Sequence, residues 1–240
     1  MGILFNGTSQ YIELPTAGVG VAGQSKVSFT TWLKLTGAPS ALNFVLYESG
    51  AAGTWIAYSS RCALFVNTSC QIVFGGRDAT AEATDGAAFV NKVSSTVLTI
   101  GQWYFICGVW DAVNDRIDLY INGSATQGGA ATIGAFSASD STRRRFAAAS
   151  SGAPQDGALY FGGRLFDTRM YLGLALTAAQ ARIIYREQGA DKLMPHYLHS
   201  RWMMIGPTGQ TVNSVTDMYG NGTGNPAYSP VYCPAPLRMR

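Results

Sequence analysis

Charge is scarce in this chain, and histidine scarcer still. Only 13% of the 240 residues are charged, and His196 and His199 are the only histidines. So little charge excludes a solvated, disordered segment, and 47% hydrophobic residues argue for a packed core. The two histidines stand i,i+3 with no HExxH glutamate, and Cys233 is far off in sequence, so no zinc site is expected. No apolar run approaches the roughly 18 residues of a membrane span. Met1-Gly-Ile-Leu-Phe-Asn shows no basic segment leading into an apolar one, so we expect a protein made in a cytoplasm and not exported by a signal peptide. Also missing are a Gly-x-Ser-x-Gly elbow, a P-loop and a dinucleotide fingerprint.

The cysteines are few: Cys62, Cys70, Cys107 and Cys233. Cys62 and Cys70 can face each other across a hairpin, but buried reduced thiols are the reading we prefer. Asn6, Asn67, Asn122 and Asn221 each begin an Asn-x-Ser/Thr triplet, read here as turn asparagines rather than glycan acceptors. Net charge is +3, with clusters at Arg143-Arg144-Arg145 and at Arg238 and Arg240. No nucleic-acid-reading fold accompanies them, so the triple arginine reads as a solvated loop or a contact for an acidic protein surface.

What the chain does contain is β pattern. Lys26 to Leu35 sets Val27, Phe29, Thr31, Leu33 and Leu35 against Ser28, Thr30, Trp32 and Lys34, the period of a half-buried strand. Short strands are expected at Asn43–Glu48, Trp55–Ser59, Cys62–Val66, Gln71–Gly75 and Val93–Ile100. Trp103–Trp110 is apolar on both faces, and Arg116–Ile121 alternates until Asn122-Gly123 turns the chain. Beyond it we expect a strand near Ala130–Phe136, then a long excursion carrying the three arginines. Ala158–Phe161 and Leu165–Leu172, parted by a Gly-Gly break, complete the strands. Thr177 and Gln180 have capping-box spacing and open one short helix with Ala179, Ile183 and Ile184 on its buried stripe, stopped at Gly189. Together these signals describe an all-β fold, an antiparallel two-sheet jelly-roll sandwich over residues 1–189 with one short late helix. Residues 190–240, rich in Gly, Pro, Asn and Tyr, form an irregular C-terminal arm.

Four segments in order resemble the laminin-G-like, concanavalin A-like jelly rolls. They are Phe5-Asn-Gly-Thr-Ser-Gln-Tyr-Ile-Glu-Leu14, Val27-Ser-Phe-Thr-Thr-Trp-Leu-Lys34, the Trp103-Tyr104 and Arg116–Gly123 hairpin, and Gly163 to Tyr185. The resemblance covers about residues 2 to 188. Its members bind glycans, proteins or calcium, and some are glycosidases, so it leaves function open. For calcium it points to Asn6 and Asp167. Acidic family positions are replaced by Asn6 and Phe166, so no cofactor or metal is expected, and Asp167 beside Arg169 reads as a structural ion pair or backbone cap. A second likeness, by analogy, is to virion proteins of tailed bacteriophages. It implies a jelly roll that decorates a capsid or tail and docks by its irregular terminus.

Paired carboxylates for glycoside cleavage are not evident: Asp111, Asp115 and Asp118 are the nearest cluster, and turn chemistry accounts for the first two. No catalytic residue is therefore named. Trp55, Tyr58, Trp110 and Tyr120 are candidates for a sugar-binding face or rim, although core packing is preferred for Trp32, Trp103 and Trp110. Trp202, Tyr219, Tyr228 and Tyr232 lie in the arm and must bury against the domain or a partner. The expected function is a non-enzymatic capsid-decoration protein of the virion. It would contact the major capsid protein or other virion proteins through Arg143, Arg144, Arg145, Trp202, Tyr219, Tyr228, Tyr232 and Arg238, as a small homo-oligomer without nucleic-acid or membrane partners. The alternatives are a lectin-like module for surface glycans and, after it, a glycoside hydrolase.

Overall fold

The computed structural model describes residues 2–14, 20–50, 60–83, 89–139, 143–149, 159–187 and 198–202. In chain order the first strands are β1 (Ile3–Asn6), β2 (Ile12–Glu13), β3 (Lys26–Leu35), β4 (Asn43–Ser49), β5 (Ser60–Val66) and β6 (Gln71–Gly76). A five-residue helix follows, α1 (Ala79–Ala83). After it come β7 (Val90–Val97), β8 (Trp103–Asp111), β9 (Arg116–Ile121), β10 (Ser124–Ala130), β11 (Arg143–Phe146) and β12 (Gly162–Leu172). Helix α2 (Ala178–Glu187) and β13 (Leu198–Trp202) close the described chain.

These strands pair antiparallel in two sheets, the expected jelly-roll sandwich. One sheet has seven strands in the order β1-β12-β3-β8-β9-β10, with β13 also on β12; the other has six, β2-β11-β4-β5-β6-β7. Between them lies the main core, where Val27, Phe29, Leu33, Ile106, Leu119 and Ile121 meet Cys62, Leu64, Val66, Ile72, Phe74 and Phe146. Gly108 lets the layers close, because a Cβ there would stand 2.5 Å from the Phe74 ring. A second apolar layer explains why β8 is hydrophobic on both sides. Leu176, just before helix α2, and Ala181 and Ile184 within it cover Trp32, Phe105, Cys107, Val109 and Tyr120, and Tyr185 stacks on Trp32 at 5.6 Å. The capping box forms as its spacing predicts: Thr177 N donates to Gln180 Oε1 at 2.8 Å, and Gln180 N to Thr177 Oγ1 at 3.3 Å. Among the described residues no helix is long and apolar enough to cross a membrane.

Several boundaries differ from expectation. The buried helical stripe is Ala181 and Ile184, whereas Ala179 and Ile183 face solvent; Ile183 lies about 100° around the helix from its neighbour. Strand β10 forms from Ser124–Ala130, and the following segment, expected as a strand, instead drops Ile133 and Phe136 into the core without joining a ladder. Gly162-Gly163 does not break β12, because Gly163 stays paired to Leu35 and its bare α-carbon clears the Lys34 carbonyl. Helix α1 has no periodic signature and was not expected. The Trp55–Ser59 strand and the Gly189 stop lie outside the described residues. Cys62 pairs in register with Gly76, while Cys70 sits in the turn at the far end of that hairpin, so the two do not face each other. Cys62, Cys70 and Cys107 are free, and burial pushes the Cys62 and Cys107 thiols far above the ordinary range.

The largest correction concerns Arg143-Arg144-Arg145. These residues are strand β11, between β2 and β4, and Arg144 and Arg145 are buried rather than looped into solvent. Arg144 Nε donates to Glu48 Oε2 at 3.0 Å inside the sandwich, and Glu48 Oε1 accepts from Val21 N at 3.0 Å. Gly20 passes over this pair at φ +103, where a Cβ would lie 2.7 Å from both Glu48 oxygens. Within the span read as an arm, residues 198–202 form a strand of the seven-stranded sheet, and the rest of that span lies outside the described residues. Arg201 Nε and Arg169 Nη2 both reach the Asp167 carboxylate, each at 2.7 Å. Burial opposes ionisation of Asp167, but the two guanidiniums outweigh it and hold the carboxyl below its usual range.

Removing one partner of a buried pair strands the other, so Arg144→Ala should lower the unfolding free energy by about 3 kcal/mol. The apolar double replacement Arg144→Met with Glu48→Leu should recover most of that loss in urea titrations. For Asp167 the depressed folded pKa stabilises the fold above the unfolded value of about 3.9 and ceases to do so as pH falls through the folded value. Asp167→Asn should therefore be clearly less stable than wild type at pH 7, with the gap narrowing in unfolding curves taken below about pH 4.

Candidate functional site

Alternation in β2 sets the site. Ile12 and Leu14 are buried in the core, so Tyr11 is turned to the outer side of the six-stranded sheet, where it stays half-buried. Tyr160 is placed the same way by its neighbour Phe161, which is fully buried. The two tyrosine rings stand 6.4 Å apart, tilted by 37°. Beneath them lies Arg145, whose Cζ is 4.5 Å from the Tyr11 ring centroid. Its guanidinium is wholly buried, so it steadies the Tyr11 ring from below rather than meeting solvent.

The turn before β2 borders this pair. Asn6 Oδ1 accepts from the backbone N–H groups of Thr8, Ser9 and Gln10 at 3.0, 3.0 and 3.2 Å, and Asn6 Nδ2 donates to Ser9 Oγ at 2.9 Å. Gln10 Oε1 in turn accepts from Asn6 N at 2.9 Å. Gly7 supplies the left-handed residue, φ +73, that the turn needs. The result is a rigid, uncharged rim with Thr8 and Ser9 exposed beside two aromatic faces. Aromatic rings pack against the apolar faces of sugars, while hydroxyls and amides meet their hydroxyl groups.

Other residues singled out from sequence are placed differently. Trp110 is buried, stacked on Phe136 at 4.6 Å, with its indole N–H donating to Gly134 O at 3.1 Å. Tyr120 is buried under α2. Neither lies on an open rim, because β8 and β9 are covered on both faces. Trp55 and Tyr58 belong to the β4–β5 connection, outside the described residues. Trp202 packs edge-on against Phe146 at 4.9 Å, so the chain docks on its own domain as far as that residue. Tyr219, Tyr228, Tyr232, Arg238 and His196 lie outside the described residues, and His199 falls within β13. Of the metal candidates, Asn6 is spent on its turn and Asp167 on two arginines. Among the described residues no group of three possible ligands gathers.

Of the carboxylates considered for glycoside cleavage, Asp111 and Asp118 are engaged and Asp115 sits exposed in a turn. Asp111 accepts from Asn114 through both oxygens, Asp118 holds Arg116 with two bonds of 2.8 Å, and Asp115 occupies a φ +48 turn position. Arg61 grips Glu82 by two bonds of 2.8 Å, fastening α1 to β5. Asn67 caps its turn, and Asn122 holds a turn position at φ +51 while its Oδ1 accepts from Phe105 N at 2.9 Å on the paired strand, so both are turn asparagines as read from sequence. Sequence reading passed over Tyr11 and Tyr160. The available signal was that each directly precedes a residue committed to the core.

The laminin-G model of the concanavalin A-like lectin/glucanases superfamily matches residues 6–182. No curated protein matches by sequence. Among solved structures, a Bacteroides ovatus protein assigned to carbohydrate binding is similar at TM-score 0.64 and 15% identity, over 92% of this chain and 57% of that one. The CBM40 of the Ruminococcus gnavus IT-sialidase, bound to α2,3-sialyllactose, is similar at TM-score 0.57 and 13% identity, over 77% of this chain and 96% of that one. Domain 4 of AbnA, a GH43 extracellular arabinanase of Geobacillus stearothermophilus in complex with arabinotriose, follows at TM-score 0.52 and 19% identity, over 76% and 75%. At these identities the likeness is one of fold.

Proposed function

We propose that this chain, which belongs to the concanavalin A-like lectin/glucanases superfamily, is a non-catalytic carbohydrate-binding module whose sugar rests against Tyr11 and Tyr160. The observation that carries the reading is the tyrosine pair itself: half-exposed, 6.4 Å apart, and backed by a buried guanidinium. Partly exposed aromatic rings beside an uncharged polar turn suit a ligand with one apolar side and many hydroxyls. The proteins of like fold with arabinotriose or sialyllactose bound lend support, since the same scaffold serves sugar recognition there. Commitment of Asp111, Asp118, Glu48, Glu82 and Asp167 to structural partners supports a binding role over hydrolysis, which needs two carboxylates free to face the sugar. The capsid-decoration role rests on the arm beyond residue 202, and the proteins of like fold described above lend it no support.

A glycan array should identify the sugar. Calorimetry with that ligand should then show Tyr11→Ala and Tyr160→Ala each weakening binding about tenfold, as the loss of one stacked ring implies. The circular dichroism of the folded protein should stay unchanged. Unaltered affinity in both variants would refute the site, and cleavage of the ligand would refute the non-catalytic reading.

A further inference from the structure

The outer face of the seven-stranded sheet carries a second surface, of different chemistry. Leu4, Arg164, Lys34 and Trp103 are register partners on four successive strands, β1, β12, β3 and β8. Their chain neighbours Ile3, Leu165, Leu33 and Tyr104 all belong to the core between the sheets, so this row points outward. Leu4 is 49% exposed, and Arg164, Lys34 and Trp103 are half-buried. Trp103 packs, partly buried, against the apolar layer under α2, and every member of the row keeps some exposure. Arg164 Nη1 donates to the Gly2 carbonyl at 3.0 Å, which fixes its direction.

Among the described residues neither Arg164 nor Lys34 makes an ion pair, whereas Arg61, Arg116, Arg144, Arg169 and Arg201 each hold a carboxylate. Two cations directly opposite on paired strands repel, and an anion lying across both relieves that repulsion. A guanidinium matches a carboxylate with two parallel bonds, an ammonium adds a point charge, and an indole offers a flat face for a sugar ring. Neighbouring strands lie about 4.8 Å apart, a step comparable with one sugar residue.

We infer that this row binds a carboxylated polysaccharide, a polyuronate, with its carboxylates on Arg164 and Lys34 and a sugar face on Trp103. The inference takes the saccharide nature of its ligand from the carbohydrate-binding reading, but it uses the opposite sheet from Tyr11 and Tyr160.

Affinity electrophoresis through gels containing polygalacturonate at low salt tests it. Wild type should be retarded, and the double variant Lys34→Gln, Arg164→Gln should bind about tenfold more weakly. Retardation should fall as salt rises. Tyr11→Ala should be retarded like wild type, which separates failure of the tyrosine site from failure of this one. Lys26→Gln with Lys92→Gln, which removes equal charge elsewhere, should also behave as wild type. The inference is overturned if wild type is not retarded, if the Lys34 and Arg164 double variant matches wild type, or if the control variant loses as much. Equal binding of wild type to DNA or heparin would reduce the effect to bulk charge and overturn it as well.

Discussion

The Glu48–Arg144 pair inside the sandwich is the contact on which the far side of the six-stranded sheet depends. Among the described residues, strand β2 joins that sheet through β11, and β11 joins the rest through β4. Arg144 and Glu48 are register partners across the β11–β4 ladder and are tied side chain to side chain within the core. Because an unpaired charge there is costly, the pair forbids a one-residue slip that would turn Arg144 outward and Arg145 inward. That register is what puts Arg145 on the outer face, under Tyr11. Fold and candidate site are thus linked through one run of three arginines.

This linkage also shows where sequence was legible and where it was not. The strands with strict alternation, the hairpin at Asn122-Gly123 and the capping box at Thr177 were readable because each is a local pattern with a local cause. The arginine run was not. Consecutive charges read as solvated by default, and only the acidic partner ninety-six residues away, supplied by the other strand of the ladder, makes a buried strand of them. Asp167 was read correctly as a structural ion-pair residue, but its second partner, Arg201, comes from a strand hidden in what looked like an arm. Trp110 and Tyr120 failed as rim candidates for a tertiary reason: helix α2 and the Phe136 segment cover the two faces of their strands.

The two outer faces divide the chemistry between them. On one, two tyrosines beside an uncharged turn stand over a guanidinium sealed from water. On the other, two cations that make no ion pair among the described residues stand in one outward row with a tryptophan at its end. A jelly roll offers such a choice because its core needs only the inward half of each strand, leaving the outward half for recognition. The buried carboxylates of the described residues serve the scaffold, which supports the proposed binding role.

The central claim, that Tyr11 and Tyr160 form the sugar platform, is tested most directly by nuclear magnetic resonance during titration with the best array ligand. The account predicts that the largest shift changes fall on the Tyr11 and Tyr160 rings and on the backbone amides of residues 6–10. Shifts confined to other surfaces, with these signals unmoved at saturation, would contradict it.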